Sequence, residues 1–361
     1  MSKHEFWMQK ALSLAAEGSN GFSAPNPHVG CVIVKNGEVI GEGHSDPAGG
    51  AHAEINALKM AGAEANGASV YVTLEPCNHQ GRTGPCSQAL IRARVAEVVY
   101  AVPDPNPIAK GGGEVLSEAG VRVLTGVLAS TARHLHRQFL FATTRRRPFV
   151  TLKAGVSLDG RIALPSGESK WITSEGSRSA VQKLRAERGC VLIGANTALV
   201  DRAKLTVRAF ALKNQPTRVV IDSRGALPLS LPVFNDDAPS MRFTPTPSWP
   251  MDRPFKSILN VLETLYQEGH TGLLVEGGAR THAAFIKAGV VDEIELFVAP
   301  IILGDGPSWV EHLGLITLTE APSFVVSTVQ EVEKMDNNVE DHSNLRITLH
   351  SRNLSSFLAS E

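Results

Sequence analysis

Apolar residues recur every three or four positions between residues 3 and 18, among them Phe6 and Leu14, and this spacing predicts an amphipathic helix. A dense apolar run follows at 29–34. The dipeptide Asn36-Gly37 comes directly after it, and apolar residues then resume. Asn-Gly between two such runs is the strongest short-range signal for a β-hairpin. The chain is therefore expected to open with a helix and a hairpin.

The pattern then alternates between the strand period and the helix period. In the first half it predicts helices from His52 to Gly62, from Cys86, around 115–119 and over 127–141, and strands at 69–74, 97–102 and 121–124. In the second half it predicts helices at 177–187, 258–268 and 281–288, and strands at 149–154, 190–194, 217–222, 272–275, 293–299, 324–332 and 345–350. The stretch 227–254 is Pro-rich and is predicted to be irregular. Strands alternating with helices indicate an α/β fold, with a largely parallel sheet in the first half and antiparallel pieces at the end of the second.

The length of 361 residues suggests two domains, each large enough for a core of its own. The basic run Arg145-Arg146-Arg147 followed by Pro148 is typical of a linker. We therefore predict domains over 1–145 and 146–361.

Composition removes several functional classes. With 35 Lys+Arg against 36 Asp+Glu the net charge is −1, so no polycation is available to wrap nucleic acid, and we expect no nucleic-acid partner. No apolar run is long enough to span a membrane, and the first residues lack the apolar core of a signal peptide. Only four cysteines occur, which makes a disulfide framework improbable and fits a reducing cytoplasm.

The candidate chemistry is concentrated in residues 52–86. His52-Ala53-Glu54 is followed by Pro76-Cys77 and, after eight intervening residues, by Cys86. One imidazole and two thiolates suit tetrahedral Zn²⁺ and leave a fourth position for water. A Glu two residues from the ligating His, acting as acid/base and not as a ligand, is the pattern of zinc-dependent nucleobase deaminases. We predict His52, Cys77 and Cys86 as zinc ligands and Glu54 as the catalytic acid/base.

Two alternatives to a catalytic zinc remain at this point. The cysteines could be buried apolar residues, or the zinc could be structural with His79 as its fourth ligand. The eight residues between Cys77 and Cys86 exceed the two that deaminases usually have, and the extra loop carries His79 and Arg82, donors that suit a phosphate or a sugar. Asn26, between two prolines, is either a turn residue or an amide that faces the substrate base.

The second half carries one weaker signal. A predicted strand runs into Gly277-Gly278, and a helix starts directly afterwards, an arrangement that can bind an anion on helix N–H groups. The dinucleotide fingerprint G-x-G-x-x-G does not occur in the chain. From the residues alone, this half is a second α/β domain with a possible phosphate cradle.

Several runs resemble the bifunctional deaminase/reductase family of bacterial riboflavin biosynthesis. In the first half they are PNPHVGCVIV, HAEINAL, TLEPCNHQGRTGPC and DPNP, and in the second LKAGVSLDGRIA, SGESKWITS, LRAE and VEGGARTHAAF. They occur in the order of that family and extend over both predicted domains. The eight-residue cysteine spacing is also the one that this family has.

The resemblance implies a cytidine-deaminase-like three-layer domain followed by a dihydrofolate-reductase-like domain. It implies hydrolytic deamination of 2,5-diamino-6-(5-phosphoribosylamino)pyrimidin-4(3H)-one with one Zn²⁺ per chain. It further implies NADPH-dependent reduction of the ribosyl side chain to 5-amino-6-(5-phosphoribitylamino)uracil. The expected partner is thus a small pyrimidine ribotide, with no membrane involved, and we also expect a homo-oligomer.

The resemblance further assigns residues to the two ligands. The cofactor side comprises Gly155, Trp171, Thr197, Asp201, Gly278, Ala279, Arg280, Thr281, His282, Ala283 and Ala284. The substrate side comprises Lys153, Ser169, Arg185, Leu205, Arg208 and Glu276, together with Asn26, His79 and Arg82 in the first half. Arg185 and Arg208 are suited to bind a phosphate with two hydrogen bonds each.

The chain departs from the family pattern in two places. Where the family has D-D-P-x-L-T-x-R, this chain reads Asp201-Arg202-Ala203-Lys204-Leu205-Thr206-Val207-Arg208. The family proline before the HAE motif is Ala51 here, which is expected to loosen the entry to the zinc helix. The first departure leaves an alternative open, a working deaminase with an impaired reductase half. A deaminase acting on a base in RNA or DNA is a further alternative, against which the neutral charge speaks.

Overall fold

The computed structural model describes residues 1–18, 27–47, 49–80, 84–235, 237–245, 254–332 and 343–359. The chain divides into two compact units. The first comprises Met1–Arg146 with the chain end from Leu358, and the second comprises Arg147–Phe357. Each unit is built on one β-sheet, so the predicted α/β class is confirmed.

The first unit carries the predicted helices and strands with small shifts at their ends. The helices are α1 (Lys3–Gly18), α2 (Ala53–Ala61), α3 (Cys86–Arg92), α4 (Gly112–Glu118) and α5 (Ala129–Arg145). The strands are β1 (Gly30–Lys35), β2 (Glu38–His44), β3 (Ser69–Val72), β4 (Glu97–Tyr100) and β5 (Arg122–Thr125). They form one sheet in the order β2-β1-β3-β4-β5.

This sheet is mixed, and the expectation of a largely parallel sheet is wrong for the first unit. Strand β1 is antiparallel to both β2 and β3, whereas β3, β4 and β5 are parallel. The predicted hairpin accounts for the antiparallel pairing of β1 with β2. Asn36 (φ 53°) and Gly37 (φ 85°) form its turn with positive φ at both positions, which suits the twist of the paired strands.

Helix α2 lies directly on strand β2 because that strand presents glycines to it. A Cβ atom on Gly41 would lie 2.3 Å from the carbonyl oxygen of Ala57, and one on Gly43 would lie 2.5 Å from that of Ala53. Real Cβ atoms do not approach backbone atoms so closely, so the helix can sit here only because both side chains are missing. This contact fixes the start of α2, where the HAE motif lies.

The second unit contains the remaining elements. The strands are β6 (Phe149–Ser157), β7 (Cys190–Gly194), β8 (Thr217–Ile221), β9 (Ser240–Phe243), β10 (Gly272–Gly277), β11 (Glu293–Ala299), β12 (Phe324–Val332) and β13 (Asn344–Ser351). The helices are α6 (Glu175–Arg188), α7 (Ala195–Asp201), α8 (Pro254–Gln267), α9 (Ala279–Lys287) and α10 (Arg352–Ala359). The sequence analysis did not predict β9, α7 or α10.

The sheet of the second unit has the order β12-β13-β11-β6-β10-β7-β8-β9. The six strands from β11 to β9 are parallel, and β13 and β12 are antiparallel to their neighbours. The consecutive residues Leu273 and Leu274 of β10 belong to two different apolar clusters, so this part of the sheet is covered on both faces. The carboxyl ends of its parallel strands meet at one edge, where ligands bind in such sheets.

None of the described helices combines the length and apolarity needed to cross a bilayer.

Candidate active sites

The three predicted zinc ligands come together in the first unit. His52 is the residue immediately before α2, with extended backbone angles, and Cys86 is the first residue of α3. Cys77 lies on the loop after β3 and is not on a helix. The backbone N–H of Cys86 points at the Cys77 sulfur, 3.5 Å away, and stabilises a thiolate there.

The geometry of this cluster fits a zinc ion. His52 Nδ1 lies 3.5 Å from Cys77 Sγ and 3.3 Å from Cys86 Sγ, and all three ligand atoms lie within 4.8 Å of one another. Tetrahedral zinc with bonds of about 2.0–2.3 Å separates its N and S ligand atoms by roughly 3.5 Å. Within the part of the chain that the structure describes, His79 does not belong to the cluster, so the alternative of a closed four-residue site finds no support.

The cluster also holds negative charge without a metal. A hydrogen bond from the Cys86 thiol, followed by one from His52, lowers the pKa of Cys77 to about 4. The same hydrogen bond raises the pKa of Cys86. The hydrogen bond between His52 and Cys77 raises the pKa of His52. The Cys77 thiolate, the form of cysteine that binds zinc, is therefore already favoured near neutral pH.

Glu54 lies next to this cluster in the first turn of α2. Its side chain is buried, with 4% of its surface exposed. Burial, and then the charge of Cys77, raise the pKa of Glu54 to about 7. A carboxyl group of this pKa can both accept and return a proton near neutral pH.

Two loops border the cluster. On one, His79 is half-buried and its Nδ1 atom has no hydrogen-bond partner among the described residues. On the other, Asp104 is buried, and its charge interacts with Cys77 and His79. Burial raises the pKa of Asp104 to about 6. The predicted substrate ligands Asn26 and Arg82 lie outside the described residues.

The segment before α2 is closed by two hydrogen bonds, one of which a proline at position 51 would prevent. The backbone N–H of Ala51 donates to Asp46 Oδ2 over 3.1 Å, and the Ala51 carbonyl accepts from the Asp46 N–H over 2.9 Å. Proline has no N–H, so the first of these bonds depends on the departure from the family pattern. The expected loosening at this position is offset by this bond.

A second cluster lies on the parallel sheet of the second unit. Glu276, near the end of β10, accepts two hydrogen bonds from Arg185, of 2.5 Å from Nε and 2.9 Å from Nη2. The ammonium group of Lys153, on the neighbouring strand β6, lies 3.7 Å from the same carboxylate. Burial opposes ionisation of Glu276, but Arg185 and then Lys153 hold its pKa at about 2. Burial also lowers the pKa of Lys153.

Beside this cluster, the loop between β10 and α9 forms an anion cradle. Gly278 has φ 76° and offers no side chain to cap α9. The Thr197 hydroxyl lies next to it, since a Cβ atom on Gly278 would lie 3.1 Å from Thr197 Oγ1. The Thr281 hydroxyl lies next to Gly277 and Gly194, where added Cβ atoms would lie 3.2 Å and 2.5 Å from Thr281 Oγ1. Open backbone N–H groups with two hydroxyls fit a dinucleotide phosphate.

Comparison with known proteins agrees with this division of the chemistry. Residues 1–102 match the cytidine and deoxycytidylate deaminase zinc-binding region, and residues 148–339 match the RibD C-terminal domain. The riboflavin biosynthesis protein RibD of Aquifex aeolicus is 41% identical over 328 residues, which cover 87% of this chain and 92% of that protein. RibD of Escherichia coli K12 is 40% identical over 354 residues, 91% of this chain and 96% of that protein.

The chain belongs to the RibD family.

Solved structures of RibD proteins have the same fold over nearly the whole chain. Acinetobacter baumannii RibD superposes with a TM-score of 0.86 at 36% identity, and 96% of this chain and 98% of that chain are covered. A deaminase/reductase from Thermotoga maritima gives 0.85 at 34% identity with the same coverage. The RibD relationship thus includes both units, and zinc and NADPH are the cofactors that it implies and that the two clusters fit.

Other predicted RibD residues lie at the surface of the second unit. Trp171 is 70% exposed, and the guanidinium of Arg178 lies 4.5 Å from the centre of its ring. Gly155 faces Thr173, whose Cγ2 would lie 3.0 Å from an added Cβ, and Ser169 is half-buried. These residues do not contact the Glu276 cluster in any described hydrogen bond or ion pair.

Helix α9 contributes to the cradle mainly through its first turn. The N–H of His282 already donates to the Gly278 carbonyl, whereas Ala279, Arg280 and Thr281 precede the first such bond. The His282 ring is buried and donates from Nδ1 to the Trp309 carbonyl over 3.0 Å. Ala283 is buried and Ala284 packs against the apolar core. Cofactor contacts by all the residues from Gly278 to Ala284 stay predictions.

In the segment after α7 that departs from the family pattern, Leu205 stays buried. Leu205 is 4% exposed, in the left-handed region at φ 57°. Asp201 and Arg202 are exposed, and Lys204 lies 3.5 Å from Asp237 in an exposed ion pair. The two added positive charges therefore lie on the surface, and no observation favours an impaired reductase.

The sequence analysis missed one residue next to the zinc cluster. Glu75 is 8% exposed and accepts hydrogen bonds from three backbone N–H groups. The sequence showed it only as the residue before Pro76-Cys77. Its partners lie more than 25 positions away, so no local pattern indicated them.

Proposed function

We propose that the chain catalyses two consecutive steps of riboflavin biosynthesis. The first unit removes the 2-amino group of 2,5-diamino-6-(5-phosphoribosylamino)pyrimidin-4(3H)-one as ammonia. The second unit reduces the ribosyl side chain of the product to the ribityl chain of 5-amino-6-(5-phosphoribitylamino)uracil. The observation that carries the proposal is the cluster of His52, Cys77 and Cys86 beside the buried Glu54, in a chain of which 91% matches a RibD protein.

In the first unit, the ligands and the acid/base have separate tasks. Zinc, when bound by the cluster, supplies a water that loses a proton near neutral pH. Glu54 accepts that proton and delivers it to the amino group that leaves the ring. The burial of Glu54 supports this role, since it brings the pKa of the carboxyl close to neutrality. His79 and Asn26 are proposed to bind the base and sugar, and Arg82 the phosphate.

In the second unit, orientation is the main task of the protein. NADPH supplies the hydride that reduces the open-chain sugar. The first turn of α9, with Thr197 and Thr281, binds the cofactor phosphates. Lys153 lies next to the cradle and is proposed to stabilise the negative charge that develops on the sugar oxygen. Glu276 holds Lys153 in place.

In the second unit, we assign the substrate phosphate to Arg208. The fork of Arg185 is already bonded to Glu276, and its Nη1 donates to the Thr206 carbonyl over 3.2 Å. A phosphate at Arg185 would have to compete with these partners. Arg208 is exposed, and no described hydrogen bond or ion pair involves its guanidinium. Arg185 then contributes to the substrate site chiefly through Glu276.

The domain assignment follows from these roles. Residues 1–145 form the deaminase domain and residues 146–361 the reductase domain. The division of the chain between Arg146 and Arg147, and the start of the RibD C-terminal match at residue 148, support this boundary. We place the enzyme in the cytoplasm, since all four cysteines are free.

We further propose that the enzyme is a homodimer that pairs through β12. Among the described residues, this nine-residue edge strand has one neighbouring strand, and Val325, Val326 and Val329 are 44%, 60% and 57% exposed. Exposed apolar edge strands pair with other chains, and two copies can do so around a two-fold axis. Val326→Lys combined with Val329→Lys should yield monomers in sedimentation velocity, and an unchanged mass would contradict this interface.

The experiment that tests the two activities follows them separately on zinc-loaded protein. Ammonia release and NADPH oxidation are measured with the diaminopyrimidine ribotide as substrate. Glu54→Gln should lower ammonia release about 10³-fold, which is the usual contribution of a positioned acid/base. The same variant should oxidise NADPH at the wild-type rate when the deaminated intermediate is supplied.

The possible outcomes separate the alternatives. Ammonia release without NADPH oxidation by the wild-type protein would contradict the proposed reductase. Failure of both reactions with zinc bound would contradict the substrate, and nucleic acid containing the target base would be tried next. Wild-type ammonia release by Glu54→Gln would contradict the assigned role of Glu54.

A further inference from the structure

The Glu75 carboxylate connects two loops of the first unit. Glu75 follows β3 and precedes Pro76-Cys77, and its side chain is buried. Oε2 accepts a hydrogen bond of 3.0 Å from the N–H of Asp104. Oε1 accepts bonds of 3.1 Å each from the N–H groups of Gly111 and Gly113. We call the loop that follows β3 and carries Cys77 the zinc-ligand loop, and the segment 104–113 the border loop. A single side chain of the zinc-ligand loop thus binds both ends of the border loop.

The glycines at the end of the border loop explain how it comes so close. Gly111 precedes α4 and has no side chain with which to cap it, so Glu75 satisfies N–H groups at the start of that helix from outside. A Cβ atom on Gly112 would lie 1.8 Å from the carbonyl oxygen of Pro76. The start of α4 therefore rests on the backbone of the zinc-ligand loop.

A further hydrogen bond joins the same two loops in their middle. The N–H of Asn78 donates to the Ala109 carbonyl over 2.8 Å. Between these attachments, Asp104 accepts a bond of 2.8 Å from the Asn106 N–H, and its buried carboxyl interacts electrostatically with Glu75, Cys77 and His79. The border loop thus lies beside the zinc cluster, and Glu75 accepts three of the four hydrogen bonds that join the two loops among the described residues.

We infer that Glu75 is a positioning residue for the deamination, which fixes the border loop and its Asp104 carboxyl against the zinc-ligand loop so that both loops contact the bound ribotide. This inference rests on the proposed deaminase activity. Glu75 takes no part in the chemistry and does not bind the metal. Its loss should therefore weaken substrate binding and leave the chemical step and the zinc in place.

The substitution Glu75→Gln tests this link with little change of shape. The glutamine oxygen can still accept from Gly111 and Gly113, but its NH₂ group then faces the N–H of Asp104, and that bond is lost. KM for the ribotide should rise about tenfold, which corresponds to one hydrogen bond to a charged group. The value of kcat should stay within about twofold, with one zinc per chain.

Glu114→Gln is the matched control, because Glu114 is exposed in the first turn of α4. It should leave KM, kcat and zinc content unchanged. A residue that only stabilises the fold would lower the melting temperature of Glu75→Gln without moving KM, and that result would overturn the inference. Loss of zinc with a parallel loss of kcat would also overturn it, since Glu75 would then support the metal site.

A second measurement keeps the inference testable if Glu75→Gln does not fold. Hydrogen exchange is followed on zinc-loaded Glu54→Gln protein, which should bind the ribotide without turnover. The amides of Asp104, Gly111 and Gly113 should exchange at least about tenfold more slowly with ribotide than without it, and unchanged rates would overturn the inference. Absence of ammonia release by the wild-type enzyme would instead contradict the proposed function, so the two failures are distinguishable.

Discussion

The two candidate sites are assembled in different ways. The zinc ligands and Glu54 all fall between positions 52 and 86, on two helix starts and the loop between them. The Glu276 cluster joins Lys153, Arg185 and Glu276, which are brought together by parallel strands β6 and β10 and by helix α6. The first site therefore depends on a short segment and the second on the topology of a whole sheet.

This difference has energetic consequences. In the first site a bound ion draws the ligands together, and in its absence a thiolate and an imidazole still hold one another. In the second, two largely buried cations, Lys153 and Arg185, pair with one carboxylate, Glu276. The first site should therefore lose its activity when the metal is removed, and the second when the charge of Glu276 is removed.

The largest effect should come from zinc removal. A chelator should lower ammonia release by at least about 10³-fold, since several kcal/mol of barrier lowering are lost with the metal. NADPH oxidation with the deaminated intermediate should be unchanged, because no residue of the Glu276 cluster belongs to the zinc site. Restored ammonia release after addition of Zn²⁺ is the control. Parallel loss of both activities would contradict separate sites.

Glu276→Gln should act on the second site alone. The substitution removes the carboxylate that pairs with Lys153 and Arg185, and loss of one partner from a largely buried ion pair costs about 3–5 kcal/mol. The urea transition of the second unit should move to lower concentration, and NADPH oxidation should fall, while ammonia release persists. Glu263→Gln, at an exposed position of α8, is the control. An unchanged transition would mean that solvent screens this cluster.

A buried histidine should make the first unit sensitive to acid. Burial, and then the charge of His28, lower the pKa of His136 to about 4 from an ordinary value of 6.5. Its contribution to the free energy of unfolding is thus complete above about pH 6.5 and is lost as the pH falls towards 4, by about 3 kcal/mol in total. Between pH 7 and pH 4 the wild-type protein should lose this amount more than His136→Leu.

Acid affects zinc binding equally in the wild type and in His136→Leu, so this effect cancels when their losses of stability are compared. The exposed His134→Leu, two residues away on the same helix, should lose as much stability as the wild type. Equal losses by the wild type and His136→Leu would show that His136 is protonated in the folded protein.

The sequence predicted the first site more fully than the second. Hairpin, helix starts and metal-ligand spacing are local signals, and the predicted ligands His52, Cys77 and Cys86 are together in the structure. Helix α7 was missed because it follows β7 directly, after a glycine that cannot cap it. Strand β9 was missed because it is a four-residue edge strand in a Pro-rich stretch.

The remaining differences concern partners that are distant along the chain. Arg185 was predicted to bind phosphate because its fork suits one, but the same fork suits the Glu276 carboxylate, 91 positions away. Glu75 was not recognised because its three donors are backbone N–H groups of a later loop. Sequence patterns identify the side chains capable of a contact, and the topology decides which contact forms.

The glycines of β2 make the zinc site sensitive to mutations at positions outside the site. Because α2 rests on Gly41 and Gly43 without any space for a methyl group, a missense allele at either position would push the helix away from the strand. His52 and Glu54 would move with it. Such an allele would alter no catalytic residue, yet it would be inherited as a defect in metal retention, and surplus zinc in the growth medium is the suppressor to look for.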